Sequence, residues 1–402
     1  VDRRGFIRTC GSLGSSLLAA SPLALLAGCA PQSSGRLLRQ SRYAPDTSFV
    51  GDACGLPPVL VSPEREIRTV VGLRPFRPSG FVVRAERLGD TLVVHNYGHG
   101  GGGITLSWGT AKLAVDIGAP GHSGAVAVLG SGAVGLATAR LLQEEGFAVT
   151  IYTKAMPPET TSNIAGGQWF PSFVSDPDKR TDAFNQQFMA AANYAYRRYQ
   201  IMVGPKFGVR WMRNYFLRNS EFSEDGYYGE RSVLRGLMPE FRQLGPHEHP
   251  FTGYKYVRQF DTMIIEPPIY LAAMLDEFRL ASGRIVVREL PDRAAVQALP
   301  EKLVFNCTGL GAKALFGDDE LIPVKGQLTF LLPQPEIQYA TTPELPDVPG
   351  QPSVDLYMFP RSDGILLGGT HQRGVATMEP DLAAKQRIIA GHKAFFDSFR
   401  GC

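Results

Sequence analysis

Little in this chain invites metal or nucleic-acid chemistry. Only five of its 402 residues are cysteine and seven are histidine. No Cys-x-x-Cys pair and no Cys/His spacing of the metal-ligating kind occurs, so no metal site is expected. The formal net charge is +3, too small for an electrostatic footprint on nucleic acid. There is no block of like charge and no internal repeat, which excludes a solenoid or a charged tail. Long apolar runs are missing too. The run that starts at Leu13 is interrupted by serines and Pro22, and it is too short and too polar for a transmembrane helix.

What is there is an ordinary globular composition, 44% hydrophobic and 20% charged. A chain of this length can bury a large core and is expected to form two domains. The N-terminus reads as an address. Asp2-Arg3-Arg4-Gly5-Phe6-Ile7-Arg8 resembles a twin-arginine export signal, and Leu26-Ala27-Gly28-Cys29 resembles a lipobox, where a lipid is attached to the cysteine. The expectation is a signal over 1–29, a lipid anchor at Cys29, and a location on the periplasmic or cell-surface face of the membrane. The plainer alternative is an ordinary secretory signal with a chance cysteine. Residues 30–62, rich in Ser, Gly, Pro and Arg, read as a tether.

Strands are expected over Glu66–Leu73 and Gly80–Val94, the latter with a turn at Gly89-Asp90, and residues 103–116 are apolar at helical spacing. The clearest local signal follows. Ala125–Leu129 is an apolar run of strand length, and Gly130-Ser131-Gly132-Ala133-Val134-Gly135 comes at once. An amphipathic helix carrying Leu136, Ala139, Leu141 and Leu142 ends at Gly146, and a second strand runs over Ala148–Tyr152. This is the strand–glycine loop–helix–strand setting of a dinucleotide site. Gly130 permits the tight turn, Gly132 the approach of a pyrophosphate, and Gly135 close helix–strand packing. The helix N-terminus then faces the phosphates. The acid that usually follows the second strand is Lys154 here. Further on, Pro268–Leu280 and Ala383–Phe399 read as helices. Arg284–Arg288, Lys302–Asn306, Gln327–Leu332 and Gly364–Leu367 read as strands, and residues 173–280 are mixed and aromatic-rich.

Several separate words resemble the D-amino-acid oxidase family of FAD enzymes. They are Val71-Gly72-Leu73-Arg74-Pro75, His95-Asn96-Tyr97-Gly98-His99-Gly100-Gly101-Gly102-Gly103, the loop Thr160-Thr161-Ser162-Asn163-Ile164-Ala165-Gly166-Gly167-Gln168-Trp169, Asn306-Cys307-Thr308-Gly309, Lys325-Gly326-Gln327, Leu356-Tyr357-Met358-Phe359-Pro360 and Leu367-Gly368-Gly369-Thr370-His371-Gln372. They occur in the family's cyclic order, but the words that close the family's chain come first. The chain therefore looks circularly permuted, with Gly118–Gly124 bridging the old ends. The new ends then lie close together, so a Cys54–Cys402 disulfide is feasible in an oxidising compartment. Cys307 reads as a plain buried thiol.

The resemblance implies an FAD site formed by Gly130, Gly132, Ala133, Gly135, Thr160, Thr161, Ser162, Gly166, Gly167, Gln168 and Gly309. The segment Gly100, Gly101, Gly102, Gly103, Ile104 and Thr105 would lie against the flavin. It implies that Arg74 clamps the substrate carboxylate, that the Tyr357 hydroxyl also touches it, and that the Gly101 carbonyl accepts from the substrate amine. Arg77 reads as a surface strand arginine. His371 stands where the family varies with substrate, and it either pairs with an acidic side chain or fills space. His95 and His99 read as structural. A second lid tyrosine is replaced by Ser353.

The fold expected is α/β: a Rossmann-type FAD domain (95–172 and 281–326) and a mixed-sheet substrate domain (63–94, 173–280 and 327–402). The activity implied is oxidative deamination of D-amino acids by hydride transfer to FAD, with oxygen or a membrane carrier as acceptor. The rival readings are a glycine- or sarcosine-type amine oxidase, a membrane-linked dehydrogenase, and an inactive flavoprotein scaffold.

Overall fold

The computed structural model describes residues 53–226, 229–344 and 354–400. Strands β1 (Glu66–Phe76), β2 (Val82–Leu88) and β3 (Thr91–Tyr97) lead to helix α1 (Gly103–Gly118). Then come β4 (Val126–Leu129), α2 (Ala133–Glu144), β5 (Val149–Thr153), α3 (Asp182–Gln200), β6 (Val209–Arg218), β7 (Arg242–Leu244), β8 (Tyr256–Ile265), α4 (Pro267–Leu280) and β9 (Arg284–Val287). After α5 (Arg293–Gln297), β10 (Leu303–Asn306) and α6 (Gly311–Phe316), the chain closes with β11 (Ile322–Leu331), β12 (Tyr339–Pro343), β13 (Val354–Arg361), β14 (Gly364–Thr370), β15 (Gln372–Arg373) and α7 (Leu382–Asp397).

Among the described residues these strands make two sheets. One has the order β2-β3-β10-β4-β5-β9, with every pair parallel except β2–β3. The other has the order β1-β11-β14-β13-β12-β6-β8-β7, with β15 beside β11, and is largely antiparallel. The first sheet accounts for its own sequence. Every residue of β4 and β5 is buried, as parallel strands covered on both faces must be. Small residues of α2, among them Ala133, Ala137 and Ala139, are buried against it. α1 crosses α3 so closely that a Cβ at Gly109 would lie 1.9 Å from the Ala191 carbonyl.

Residues 63–94, expected together in the substrate domain, divide between the sheets. β1 pairs with β11 over Arg68–Phe76, but β3 runs parallel to β10, from Leu92↔Leu303 to His95↔Asn306. Near-continuous burial of β3 explains this, because alternation would have marked a strand with one wet face. The aromatic-rich stretch after 173 hides the 19-residue helix α3, capped by the Thr181 hydroxyl accepting from the Phe184 amide at 3.1 Å.

Cys54 is disulfide-bonded, and Cys402 lies outside the described residues, as do the export and lipid-attachment words and Ser353. Cys307 is free and buried, its thiol pushed up to about 12 by that burial. No described helix is long and apolar enough to cross a membrane.

Candidate functional site

A cavity of about 1160 Å³ runs past the carboxyl ends of β4, β5 and β10 to the face of the larger sheet. At its first end the glycines divide the work as their spacing predicts. Gly130 has φ +100°, and a Cβ there would lie 2.7 Å from the Cys307 carbonyl. A Cβ at Gly135 would lie 2.1 Å from the Gly130 carbonyl, so this glycine lets α2 pack on its own loop. At Gly132 a Cβ would meet only the Ser162 hydroxyl, at 3.1 Å. Bare backbone at the start of α2 thus faces the cavity, which is the cradle a pyrophosphate needs. Ser162 accepts from the Ala133 amide at 3.0 Å, which draws the Thr160–Ser162 loop onto the helix N-terminus. Asn306 fixes the opposite wall: its Oδ1 accepts from the Thr308 amide and hydroxyl, and its amide meets His95 Nδ1 at 3.0 Å.

The second end is assembled on four strands of the larger sheet. Arg74 on β1 lies over Gly326 of β11, where a Cβ would come 2.3 Å from its Nη1. That Nη1 donates to the Thr370 carbonyl, at the end of β14, at 3.0 Å. Tyr357 on β13 lies over Gly368 and Gly369, where a Cβ would strike its ring at 1.9 Å or its hydroxyl oxygen at 2.6 Å. Its ring stacks on Phe359, centroids 5.1 Å apart. A floor without side chains thus lets a guanidinium and a phenol lie beside the cavity. Arg74 has no acidic partner among the described residues. Three residues on, Arg77 is the opposite case. It is held by Asp318 at 2.9 Å and Glu320 at 2.5 Å, with its side chain only 14% exposed. The surface role expected for Arg77 is corrected to a structural one, half-buried and ion-paired.

The glycine loop closes the cavity from a third side. Gly98–Gly101, Gly103 and Ile104 line it. Gly102 and Thr105 do not: a Cβ at Gly102 would meet Val174 at 2.7 Å, and the buried Thr105 hydroxyl points at the Gln168 and Phe170 carbonyls. Both pack behind the loop rather than on the cavity wall. Gly101 donates its amide to the Phe173 carbonyl at 2.8 Å. Phe173 was not singled out from the sequence. Its φ of +54° sets its ring between Phe76 at 4.6 Å and His371 at 4.5 Å, and it lines the cavity with His371. Only the unusual backbone marks it, and sequence does not report that. His99 is fully buried with its Nε2 2.9 Å from the Thr110 hydroxyl, and burial brings its pKa down to about 3. It props the loop as a neutral ring.

The remaining sequence candidates, Thr160, Thr161, Gly166, Gly167, Gln168 and Gly309, all line the cavity. Gly135 does not, for the packing reason above. Lys154 stands at the first end, largely exposed, 4.0 Å from Glu289.

The cavity joins a glycine-lined helix N-terminus to an arginine without an acidic partner among the described residues and to a tyrosine, and comparison with known proteins places the chain in a family. The family model described as FAD dependent oxidoreductase (DAO) matches residues 125–401. The "D-amino-acid oxidase" of Rubrobacter xylanophilus is 29% identical over 284 residues, covering 68% of this chain and 78% of that protein. The human "D-aspartate oxidase" is 26% identical over 279 residues, covering 69% and 77%. Among solved structures, glycine oxidase from Geobacillus kaustophilus superposes with a TM-score of 0.52 at 17% identity, over 69% of this chain and 80% of that one, and so shares the fold. The chain belongs to the DAO family of FAD-dependent oxidoreductases, enzymes that act on amino-group donors.

Proposed function

We propose that this enzyme oxidatively deaminates D-amino acids. The carrying observation is Arg74, a half-buried guanidinium at the cavity wall with one N–H given to a backbone carbonyl and no acid beside it among the described residues. A partly desolvated cation without a counter-ion is unfavourable, and a substrate carboxylate supplies one with the planar geometry that suits arginine. The Tyr357 hydroxyl offers a second donor to the same carboxylate, and the Gly101 carbonyl an acceptor for the amine. Together they fix which hydrogen on the α-carbon faces the cofactor side of the cavity, and such orientation is worth large rate factors. FAD, when bound, supplies the acceptor for that hydrogen and its electron pair. No protein base is required if the amine arrives unprotonated. Loss of hydride leaves an iminium, which water converts to a 2-oxo acid and ammonium, and the two electrons pass to oxygen together with the proton carried by the hydride and one from solvent, giving hydrogen peroxide. The D-preference is supported by relatives named D-amino-acid oxidase and D-aspartate oxidase.

A panel of D- and L-amino acids scored for flavin bleaching without oxygen tests this. D-amino acids should bleach the parent enzyme, and Arg74→Lys should raise KM because it keeps the charge but not the fork. Bleaching by simple amines but not by amino acids sinks the proposal and favours an amine oxidase. Dye reduction without oxygen uptake moves the acceptor to a membrane carrier.

Two further readings belong with this one. A circular permutation is supported by the family match beginning at residue 125 while earlier strands β1 and β3 pair with late strands β11 and β10. Export and lipid anchoring at Cys29 are supported by the sequence words alone. Cys29→Ala should release soluble protein or leave an uncleaved precursor, and normal export after Arg3→Lys with Arg4→Lys would contradict the twin-arginine route.

A further inference from the structure

In a dinucleotide fold the acid at the end of the second strand hydrogen-bonds the adenosine ribose. Here that position is Lys154, which has nothing to accept with. β5, however, does not end alone. β9 runs parallel beside it, in register at Thr153↔Val287, and the Arg288 amide donates to the Thr153 carbonyl at 2.8 Å. The two chains therefore leave the sheet together at the first end of the cavity, whose wall includes Lys154, Glu289, Leu290 and Pro291. Lys154 Nζ lies 4.0 Å from Glu289 Oε1, and both side chains are more than 70% exposed. The adjacent cation, Arg288, also lines this wall, with its guanidinium turned to the Tyr152 ring, 5.3 Å from its centre, and among the described residues it makes no ion pair with Glu289.

We propose that Glu289 supplies the carboxylate that binds the adenosine ribose of FAD, so that the acid has moved one strand sideways and exchanged charge with Lys154. A loose, exposed ion pair is weak in water, and ribose hydroxyls can take the Glu289 oxygens without breaking anything costly. Lys154 then offsets the added negative charge beside the pyrophosphate. The other acid on this side of the cavity, Glu159, sits in a turn closed by its amide donating to Met156 at 2.8 Å. It leads directly into Thr160–Ser162, the loop drawn to the α2 N-terminus, and so belongs with the phosphates rather than the ribose.

The proposal rests on FAD lying in this cavity, and its test reads binding rather than turnover, so a wrong substrate class leaves it untouched. Holoenzyme is diluted and released flavin is followed by its fluorescence, with ADP or 2′-deoxy-ADP as displacing ligand. In the parent, ADP should displace FAD about tenfold better than 2′-deoxy-ADP, the effect of one hydrogen bond to a charged group. Glu289→Gln should weaken FAD about tenfold and remove most of the difference between the two nucleotides. Glu289→Ala should remove it entirely, and Glu159→Gln, whatever it does to FAD affinity through the phosphates, should leave the difference between the two nucleotides in place. The exchange Lys154→Glu with Glu289→Lys should return FAD affinity to near the parent value. Circular dichroism melting of each variant checks that the exposed substitutions leave the fold intact. Equal displacement by ADP and 2′-deoxy-ADP in the parent overturns the proposal, as does unchanged discrimination in Glu289→Ala. A loss of discrimination in Glu159→Gln assigns the ribose to that residue instead.

Discussion

The two ends of the cavity are built by opposite means. The cofactor end is backbone: glycines within six consecutive residues, one helix N-terminus, and a Thr/Ser loop tied to it by Ser162. The end proposed to take the substrate is side chain: Arg74 and Tyr357 laid over Gly326, Gly368 and Gly369, with Thr370 as anchor. The first is local in sequence and tolerant of what surrounds it. The second exists only when β1, β11, β14 and β13 are in register. If the two ends are separable, a change at one should leave the other's property intact.

The largest effect expected is at Arg74. Arg74→Ala should slow flavin reduction by D-amino acids roughly a thousandfold, the loss of a partly desolvated ion pair plus its alignment, while the protein stays yellow. Rapid-mixing absorbance measures the rate, and an equal loss of FAD binding would show that the ends are coupled. Next comes a buried support of the substrate end. His392 on α7 sits with its Nε2 3.2 Å from the Tyr357 carbonyl and its Nδ1 2.8 Å from that of Ile388. Burial brings its pKa down from 6.5 to about 4. The unfolded state therefore binds this proton first as pH falls. The stability is full above pH 6.5 and is lost progressively down to about pH 4, roughly 3 kcal/mol for this one ring. Urea titrations across that window should show a shallower acid loss in His392→Gln than in the parent.

Smaller still is Gly326→Ala. The added methyl would stand 2.3 Å from Arg74 Nη1, so the clamp must shift. The expectation is a rise in KM with a tenfold to hundredfold fall in kcat/KM and normal flavin content. Gly130→Ala is the mirror experiment. It puts a side chain at φ +100° and against the Cys307 carbonyl, and should cost about 1 kcal/mol or more of stability and weaken FAD. Molecules that keep their flavin should show the parental KM. A changed KM there would break the separation between the ends.

This contrast also explains what could be read from the sequence. The dinucleotide unit was legible because its chemistry is contiguous: β4, the glycine loop, α2 and β5 follow one another within about one motif length. Arg74 and Tyr357 were reached only through resemblance, since nothing local distinguishes Arg74 from Arg77. The difference lies in Asp318 and Glu320, more than two hundred residues away, which pair with one and not the other. Phe173 was missed because its role comes from a backbone angle. The place of β3 beside β10, and not with β1 in the domain expected for residues 63–94, is a tertiary choice of partner that no local pattern reports. The pairing of Lys154 with Glu289 is likewise a product of β5 and β9 lying side by side, and no spacing rule foresees it.

The early position of β1 and β3 has a consequence for how the molecule is made. A chain growing from its N-terminus produces the β2–β3 hairpin at once, but the partners β10 and β11 come some two hundred residues or more later. Throughout that interval β1 has no ladder and β3 has one bare edge, and bare edges invite pairing with other chains. Such long-range closure makes for slow folding. The strand that carries Arg74, the arginine proposed to bind the substrate carboxylate, is thus made long before it is secured, and newly made enzyme should gain that site only once synthesis has passed Thr370.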